Sequence, residues 1–378
     1  MAAGARGTIV RAALAANAMR ELVIDGTRIT DDGDCYVIAE IGHNHQGSVE
    51  KARELILAAK ECGVDAVKLQ KRDNRGLYTR AAYEAPYDHE NSFGSTYGEH
   101  REALELGRDA YTELQRAARD AGVTLFATAF DRASADLLAE LEMPAYKIAS
   151  GDLQNTPLLK HVASIGKPML VSTGGATMED IDRAVEAITA VNTQICLLQC
   201  TAVYPAAAEE LELRVITTLR ERYPELVIGL SDHQDGIAMS LVAYMLGARV
   251  MEKHFTLSHT LKGTDHAFSL MPEGMRKLVR DLRRVPAALG DGEKRPLPSE
   301  EPALRKMGKV LVAARDLEPG HVLAEGDVVA RSPADGGLAP YELDDLLGRT
   351  LGRALREDDP VTHDALVALD EPVVRAAG

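Results

Sequence analysis

Residues 227–255 read VIGLSDHQDGIAMSLVAYMLGARVMEKHF. The opening VIGLS is apolar and ends in Ser231-Asp232-His233. Residues 237–246 carry apolar side chains at helical spacing, and RVMEKHF is a second short strand bearing Glu252, Lys253 and His254. A strand–helix–strand unit in a parallel sheet sets the C-terminal ends of both strands at one edge. His233 and His254 then stand side by side, each at or just past the end of a buried strand. Two converging imidazoles suit a divalent metal with open coordination positions. The same pair also suits one helix-capping histidine and one packed in the core.

The pattern repeats outward from this unit. Strand-like runs fall at 36–42, 66–71, 124–130, 145–150, 168–174, 195–201, 226–232 and 249–255. Helix-like runs separate them, among them 49–62, 109–121, 131–141, 178–191 and 209–222, and a last helix spans 272–289. Strand and helix alternating eight times is the count of a (β/α)8 barrel, and the near-continuous apolar strands are those of a buried parallel sheet. An open doubly wound sheet would carry a glycine-rich turn after its first strand. Here that turn is Gly42-His43-Asn44-His45-Gln46-Gly47. Before the barrel, Asp25-Gly26 between apolar residues predicts a hairpin.

The expected organisation is a leader at 1–19, a barrel with its hairpin at 20–290, a Pro- and charge-rich linker at 291–305, and a small domain at 306–378. The leader is Ala/Arg-rich without the core of an export signal. A long connection, 72–108, carries Tyr78, Tyr83, Tyr87, Phe93 and Tyr97, and reads as a lid or a mobile insertion. The net charge of −15 argues against nucleic-acid binding, and no apolar run is long enough for a membrane span. Four scattered cysteines predict free thiols in a reducing compartment, so a cytoplasmic protein is expected.

Chemistry in a parallel barrel gathers at the C-terminal strand ends. Those ends supply Glu40, Lys68, Thr128, Lys147 with Ser150, Ser172 with Thr173, Thr201, Ser231 with Asp232 and His233, and His254; Asp265 follows in the next loop. Two lysines in apolar strands, set among hydroxyls and the Gly174-Gly175 amides, predict a pocket for phosphate or carboxylate. Glu40 and Asp265 serve either as proton carriers or as partners of the lysines.

These motifs resemble the sialic acid synthase family. The matching stretches are Ala39-Glu40-Ile41-Gly42, Ala66-Val67-Lys68-Leu69-Gln70, Tyr146-Lys147-Ile148-Ala149-Ser150-Gly151, Ser172-Thr173-Gly174, Cys200-Thr201 with Tyr204-Pro205, Gly229-Leu230-Ser231-Asp232-His233 and Glu252-Lys253-His254-Phe255-Thr256. The resemblance implies an enzyme that joins phosphoenolpyruvate to an aldose such as N-acetylmannosamine, with a SAF (antifreeze-like) tail and a domain-swapped homodimer. It implies Mn2+ or Mg2+ on His233 and His254. Phosphoenolpyruvate falls to Lys68, Thr128, Lys147, Ser150, Ser172 and Ser231, and the reacting atoms to Glu40, Asp265 and Lys147. Tyr204 and Asp152 are implied on the sugar side, together with Arg331 from the partner's tail domain. Ala202, the 206–208 alanine run, Asp152 in place of the commoner Glu and the Lys306–Lys309 stretch depart from the family pattern, so a different acceptor sugar is the alternative. A non-catalytic sugar-phosphate binder would have lost a metal histidine or a strand-end lysine; this chain has kept them.

Overall fold

The structure is a computed structural model that describes residues 20–368. The expected leader lies outside the described residues. Two compact units divide at Leu289 and Gly290.

In the first unit a hairpin of β1 (Glu21–Ile24) and β2 (Thr27–Thr30) precedes eight parallel strands. These are β3 (Tyr36–Gly42), β4 (Ala66–Lys71), β5 (Thr124–Ala129), β6 (Tyr146–Ile148), β7 (Met169–Ser172), β8 (Ile195–Cys200), β9 (Val227–Asp232) and β10 (Val250–His254). They close into a barrel through pairing of β10 with β3, so the expected (β/α)8 fold is the observed one. The strand expected at 145–150 is shorter than its apolar run, because Ser150–Asp152 tightens into a 3₁₀ turn at the mouth. The 72–108 connection is ordered locally by a helix, Tyr97–Leu104, whose Thr96 and Glu99 form a reciprocal capping box.

Strand parity decides what each residue meets, since successive side chains face opposite sides. Val37, Ala39 and Ile41 of β3 pack outward against the helices, in one apolar cluster with Leu55, Ile56 and Leu278. Tyr36 and Ile38 face inward with Phe126, Leu170, Leu198, Val227 and Val250, and the hairpin's Leu22, Ile24 and Ile29 seal that end. Above this plug the inward positions turn polar: Glu40, Lys68, Thr128, Lys147, Ser172, Ser231, Glu252 and His254, all nearly inaccessible. Gly229 is required where β9 crosses its neighbours, because a Cβ there would strike the Val250 carbonyl oxygen and the Leu198 side chain.

The second unit has its own core of Leu311, Leu317, Leu323, Val328, Leu351 and Val361 around the antiparallel pair β11 (Val310–Ala313) and β12 (Val328–Arg331). The stretch expected as a linker runs into a helix, Glu301–Met307. No helix among the described residues is long and apolar enough to cross a membrane. All four cysteines are free and buried.

Candidate active site

The polar end of the barrel opens into a cavity of about 370 Å³. Glu40, Lys68, Thr128, Lys147, Ser150, Ser172, Tyr204, Ser231, His233, His254 and Asp265 all line it. Asp152 does not; its carboxylate accepts from Asn155 beside the 3₁₀ turn, and burial raises its pKa. Arg331 belongs to the second unit, where it pairs with Glu357 and Asp358.

The floor is a buried network of charges. Lys68 Nζ lies 2.7 Å from Glu40 Oε2 and donates to Thr128 Oγ1 at 2.7 Å. Lys147 Nζ donates to Ser172 Oγ at 2.6 Å and to the Ile148 carbonyl at 2.8 Å. Glu252 sits between the two ammonium groups, 3.9 Å from Lys68 and 4.0 Å from Lys147, and accepts from Ser231 at 3.1 Å. Burial pushes the Glu252 carboxyl up, but Lys147 and Lys68 outweigh it and hold the group below the usual range. Glu40 goes the other way: burial raises it to about 7, against the pull of Lys68. A carboxyl titrating there can both give and take a proton near neutral pH.

Two carboxylates thus face two lysines, and each ammonium keeps a hydroxyl neighbour that an incoming anion can share. Ser150 Oγ accepts from the Gly174 amide at 3.0 Å, and a Cβ at Gly174 would fall 2.7 Å from that oxygen. The glycine is what lets the backbone close over the hydroxyl.

His233 and His254 meet with ring centroids 5.3 Å apart, beside Tyr204 and Phe268. His233 Nδ1 lies 2.9 Å from the Thr201 carbonyl, which accepts its proton and fixes the ring. His254 Nδ1 is buried with no hydrogen-bond partner among the described residues, and Asp265 Oδ2 stands 3.6 Å from it. Burial lowers the His254 pKa, so the ring is neutral at pH 7. Two adjacent imidazoles, one of them with an unsatisfied nitrogen, fit a divalent ion. Among the described residues no group of three or more His, Cys, Asp or Glu forms a ligand set.

Several lining residues were not anticipated as site residues: Glu252, Gln70, Cys200, His43, Arg72 and Arg101. Glu252 and Gln70 follow from parity, each being two positions from an inward residue already recognised in its strand, and Cys200 adjoins Thr201 at its strand end. His43, Arg72 and Arg101 are brought together only by the folded connection, and no spacing signals them.

Barrel, plug and polar mouth define a (β/α)8 fold whose cavity gathers two lysines and two histidines at the C-terminal strand ends. Comparison with known proteins agrees and narrows the class. Residues 55–294 match the NeuB family and residues 308–367 the SAF domain. The chain is 39% identical to N-acetylneuraminate-9-phosphate synthase of Homo sapiens over 87% of this chain and 92% of that protein. It is 35% identical to N,N'-diacetyllegionaminic acid synthase of Legionella pneumophila over 85% and 91%. A crystal structure of N-acetylneuraminic acid synthetase from Leptospira borgpetersenii, in complex with citrate, superposes with a TM-score of 0.66 at 30% identity, covering 76% of this chain and 96% of that one. The chain belongs to the NeuB family and carries its C–C bond-forming transferase framework.

Proposed function

We propose that the enzyme condenses phosphoenolpyruvate with a 2-acylamino aldose to give a 2-keto-3-deoxy sugar acid and inorganic phosphate. The observation that carries this reading is the lysine pair bridged by Glu252 at the same mouth as the histidine pair. The names of the relatives, an N-acetylneuraminate-9-phosphate synthase and synthases of N,N'-diacetyllegionaminic and pseudaminic acid, support it.

Lys68 and Lys147, with Thr128, Ser150, Ser172 and Ser231, hold the phosphate and carboxylate and orient C3 towards the aldehyde carbon. The C2=C3 electron pair forms the new carbon–carbon bond, and the aldehyde oxygen takes up a proton. Water adds at C2 and loses a proton. The C2–O bond to phosphorus then breaks, phosphate leaves with the electron pair, and the C2 hydroxyl proton is released as the ketone forms. Glu40, with its pKa near neutrality, carries the proton at one of these steps, and Asp265 stands opposite as the second carboxylate. Electrostatic positioning by buried charges supplies most of the acceleration. His233 and His254 would hold Mn2+ or Mg2+, which when bound supplies Lewis-acid polarisation of the aldehyde oxygen.

Arg331 is proposed to meet the sugar within a domain-swapped homodimer, and the protein to work in the cytoplasm. Arg331→Ala then raises the KM for the aldose and leaves that for phosphoenolpyruvate within about twofold. A second reading keeps the chemistry and changes the acceptor to a diamino sugar. Ala202 favours it, since it lines the cavity where the family commonly has Asn. Phosphate release from phosphoenolpyruvate across a panel of aldoses, with products identified by mass, tests both. Release with an aldose and a product carrying three added carbons is expected. No release with any aldose contradicts the proposal.

A further inference from the structure

The cavity carries a second cationic station that the phosphoenolpyruvate site does not use. Arg72 follows directly after β4 and is 7% exposed, with its guanidinium 3.6 Å over the Phe130 ring. Arg101 projects from the Tyr97–Leu104 helix and is partly buried. His43 lies between them: Arg72 Nη1 is 3.0 Å from its Nε2, and Arg101 Nη1 is 3.3 Å from its Nδ1.

Arginine has no acceptor, and a neutral imidazole has one acceptor and one N–H. Burial, together with the charges of Arg72 and Arg101, holds His43 well below its ordinary pKa, so it is neutral. One ring nitrogen therefore points an N–H at a guanidinium N–H. This donor-against-donor contact has no favourable solution unless an acceptor enters between them.

Nor is the charge neutralised by the protein. Among the described residues no carboxylate oxygen lies within 4 Å of either guanidinium. The nearby acid, Glu105, is held by Lys71 Nζ at 2.8 Å, with its other oxygen 3.9 Å from His43. Asp265 faces Arg101 only at longer range and sits instead beside His254. Arg72 otherwise donates to Gln70 Oε1 at 2.8 Å, and Arg101 to the Tyr97 hydroxyl at 2.8 Å. Each guanidinium has five N–H donors, so both keep unused ones.

The two stations are linked but separate. A chain of contacts runs from Lys68 through Glu40 and Gln70 to Arg72. Lys68 and Arg72 are four residues apart along one strand direction, about 13 Å of extended chain. Glu40 and Gln70 stand between the Lys68 ammonium and the Arg72 guanidinium, so a three-carbon acid phosphate seated on the lysines leaves the arginine pair to another group. A six-carbon aldose bearing a phosphate ester at the end remote from its aldehyde can occupy the remaining space.

On the condensation reading above, we propose that the acceptor is a phosphorylated 2-acylamino aldose, its terminal phosphate held by Arg72, Arg101 and His43. A phosphate dianion offers the three acceptor oxygens this arrangement lacks, and it matches the two unneutralised charges better than a single carboxylate does. The relatives' names divide on the point, since some synthases are named for a 9-phosphate product and others are not. The arginine pair assigns this chain to the former behaviour. The enzyme therefore stands downstream of a phosphoryl transfer to the sugar, and a phosphatase step must follow if the free sugar acid is needed.

The test measures phosphate release from phosphoenolpyruvate with 2-acetamido aldohexoses, including N-acetylmannosamine, each as the free sugar and as its 6-phosphate. The wild-type enzyme is expected to show a KM at least about tenfold lower for one 6-phosphate than for its free sugar, the scale of one charge-assisted bond. Arg101→Gln and Arg72→Gln are expected to collapse that difference and leave the KM for phosphoenolpyruvate within about twofold. Arg101 stands on a partly exposed helix, so its variant carries the test should Arg72→Gln fail to fold. Release with free sugars only, or a preference for the ester that survives both variants, overturns the phosphate station and leaves the condensation reading standing. Release with no member of the panel overturns both.

Discussion

Lys68→Met is the sharpest perturbation of the buried network. Its ammonium lies 2.7 Å from Glu40 and 3.9 Å from Glu252, and all three side chains are almost fully enclosed. At an effective dielectric near 20 these contacts correspond to roughly 4–6 kcal/mol each. Removing one partner of a buried pair commonly costs about 3–5 kcal/mol when the other must stay charged. Glu40 need not stay charged, because its pKa is already about 7. It escapes by protonation, so the cost at pH 6 is confined to the Glu252 contact, which Lys147 still shares. A carboxyl whose folded pKa is raised contributes stability that is present below its unfolded value and lost as pH rises through the folded one. In the wild type that loss is complete just above pH 7. In the variant the folded pKa rises further, so the loss continues. The destabilisation should therefore grow by about 1.4 kcal/mol per pH unit between pH 7 and the new pKa. Urea melts of both proteins at pH 6, 7 and 8.5 measure it. The same variant should raise the KM for phosphoenolpyruvate by about 10- to 100-fold, the equivalent of one charge-assisted bond. A destabilisation that does not change with pH, together with an unaltered KM, would refute the placement of Lys68 between the acid and its substrate.

Other consequences are independent of that network. His45 is buried, its Nδ1 accepting from the Gly47 amide at 3.0 Å, and burial lowers its pKa to about 4. The unfolded chain takes up the proton first, so its contribution is complete above about pH 6.5. Stability should then fall by about 3 kcal/mol as pH drops towards 4. His45→Gln should flatten that part of the urea-midpoint profile; an unchanged profile counts against a neutral buried ring. Gly229→Ala forces a methyl against the Val250 carbonyl and within 2.6 Å of Leu198, and should cost about 1–3 kcal/mol or more in melts. A wild-type melting curve would show that β9 and β10 are further apart than described. His233→Ala and His254→Ala should each weaken Mn2+ binding by at least about tenfold in calorimetric titration. Undiminished binding in both would move the ion elsewhere.

Much of this was legible before any coordinates, because parallel strands announce themselves by length and apolar content. The lysines and histidines declared themselves by standing against that content. Strand ends alone were too coarse a criterion for the floor, however. Glu252 lies two residues before His254 and on the same face, and counting parity along RVMEKHF would have placed it between the lysines. Asp152 was expected near the sugar, but the 3₁₀ turn at Ser150–Asp152 leaves it outside the cavity lining. Arg72, His43 and Arg101 were beyond reach for another reason. They come from three loops or helices whose meeting depends on how the 72–108 connection folds back, and no periodicity encodes that.

The central claim is that one barrel mouth binds a three-carbon acid phosphate on two lysines, next to a metal held by two histidines. Crystals soaked in Mn2+ and phosphoenolpyruvate, with data collected at the manganese edge, address it directly. The account predicts one anomalous peak bonded to His233 and His254, with phosphoenolpyruvate beside it in hydrogen-bond contact with Lys68, Lys147 and Ser172. Phosphoenolpyruvate bound away from both lysines, or manganese bound away from both histidines, would contradict it.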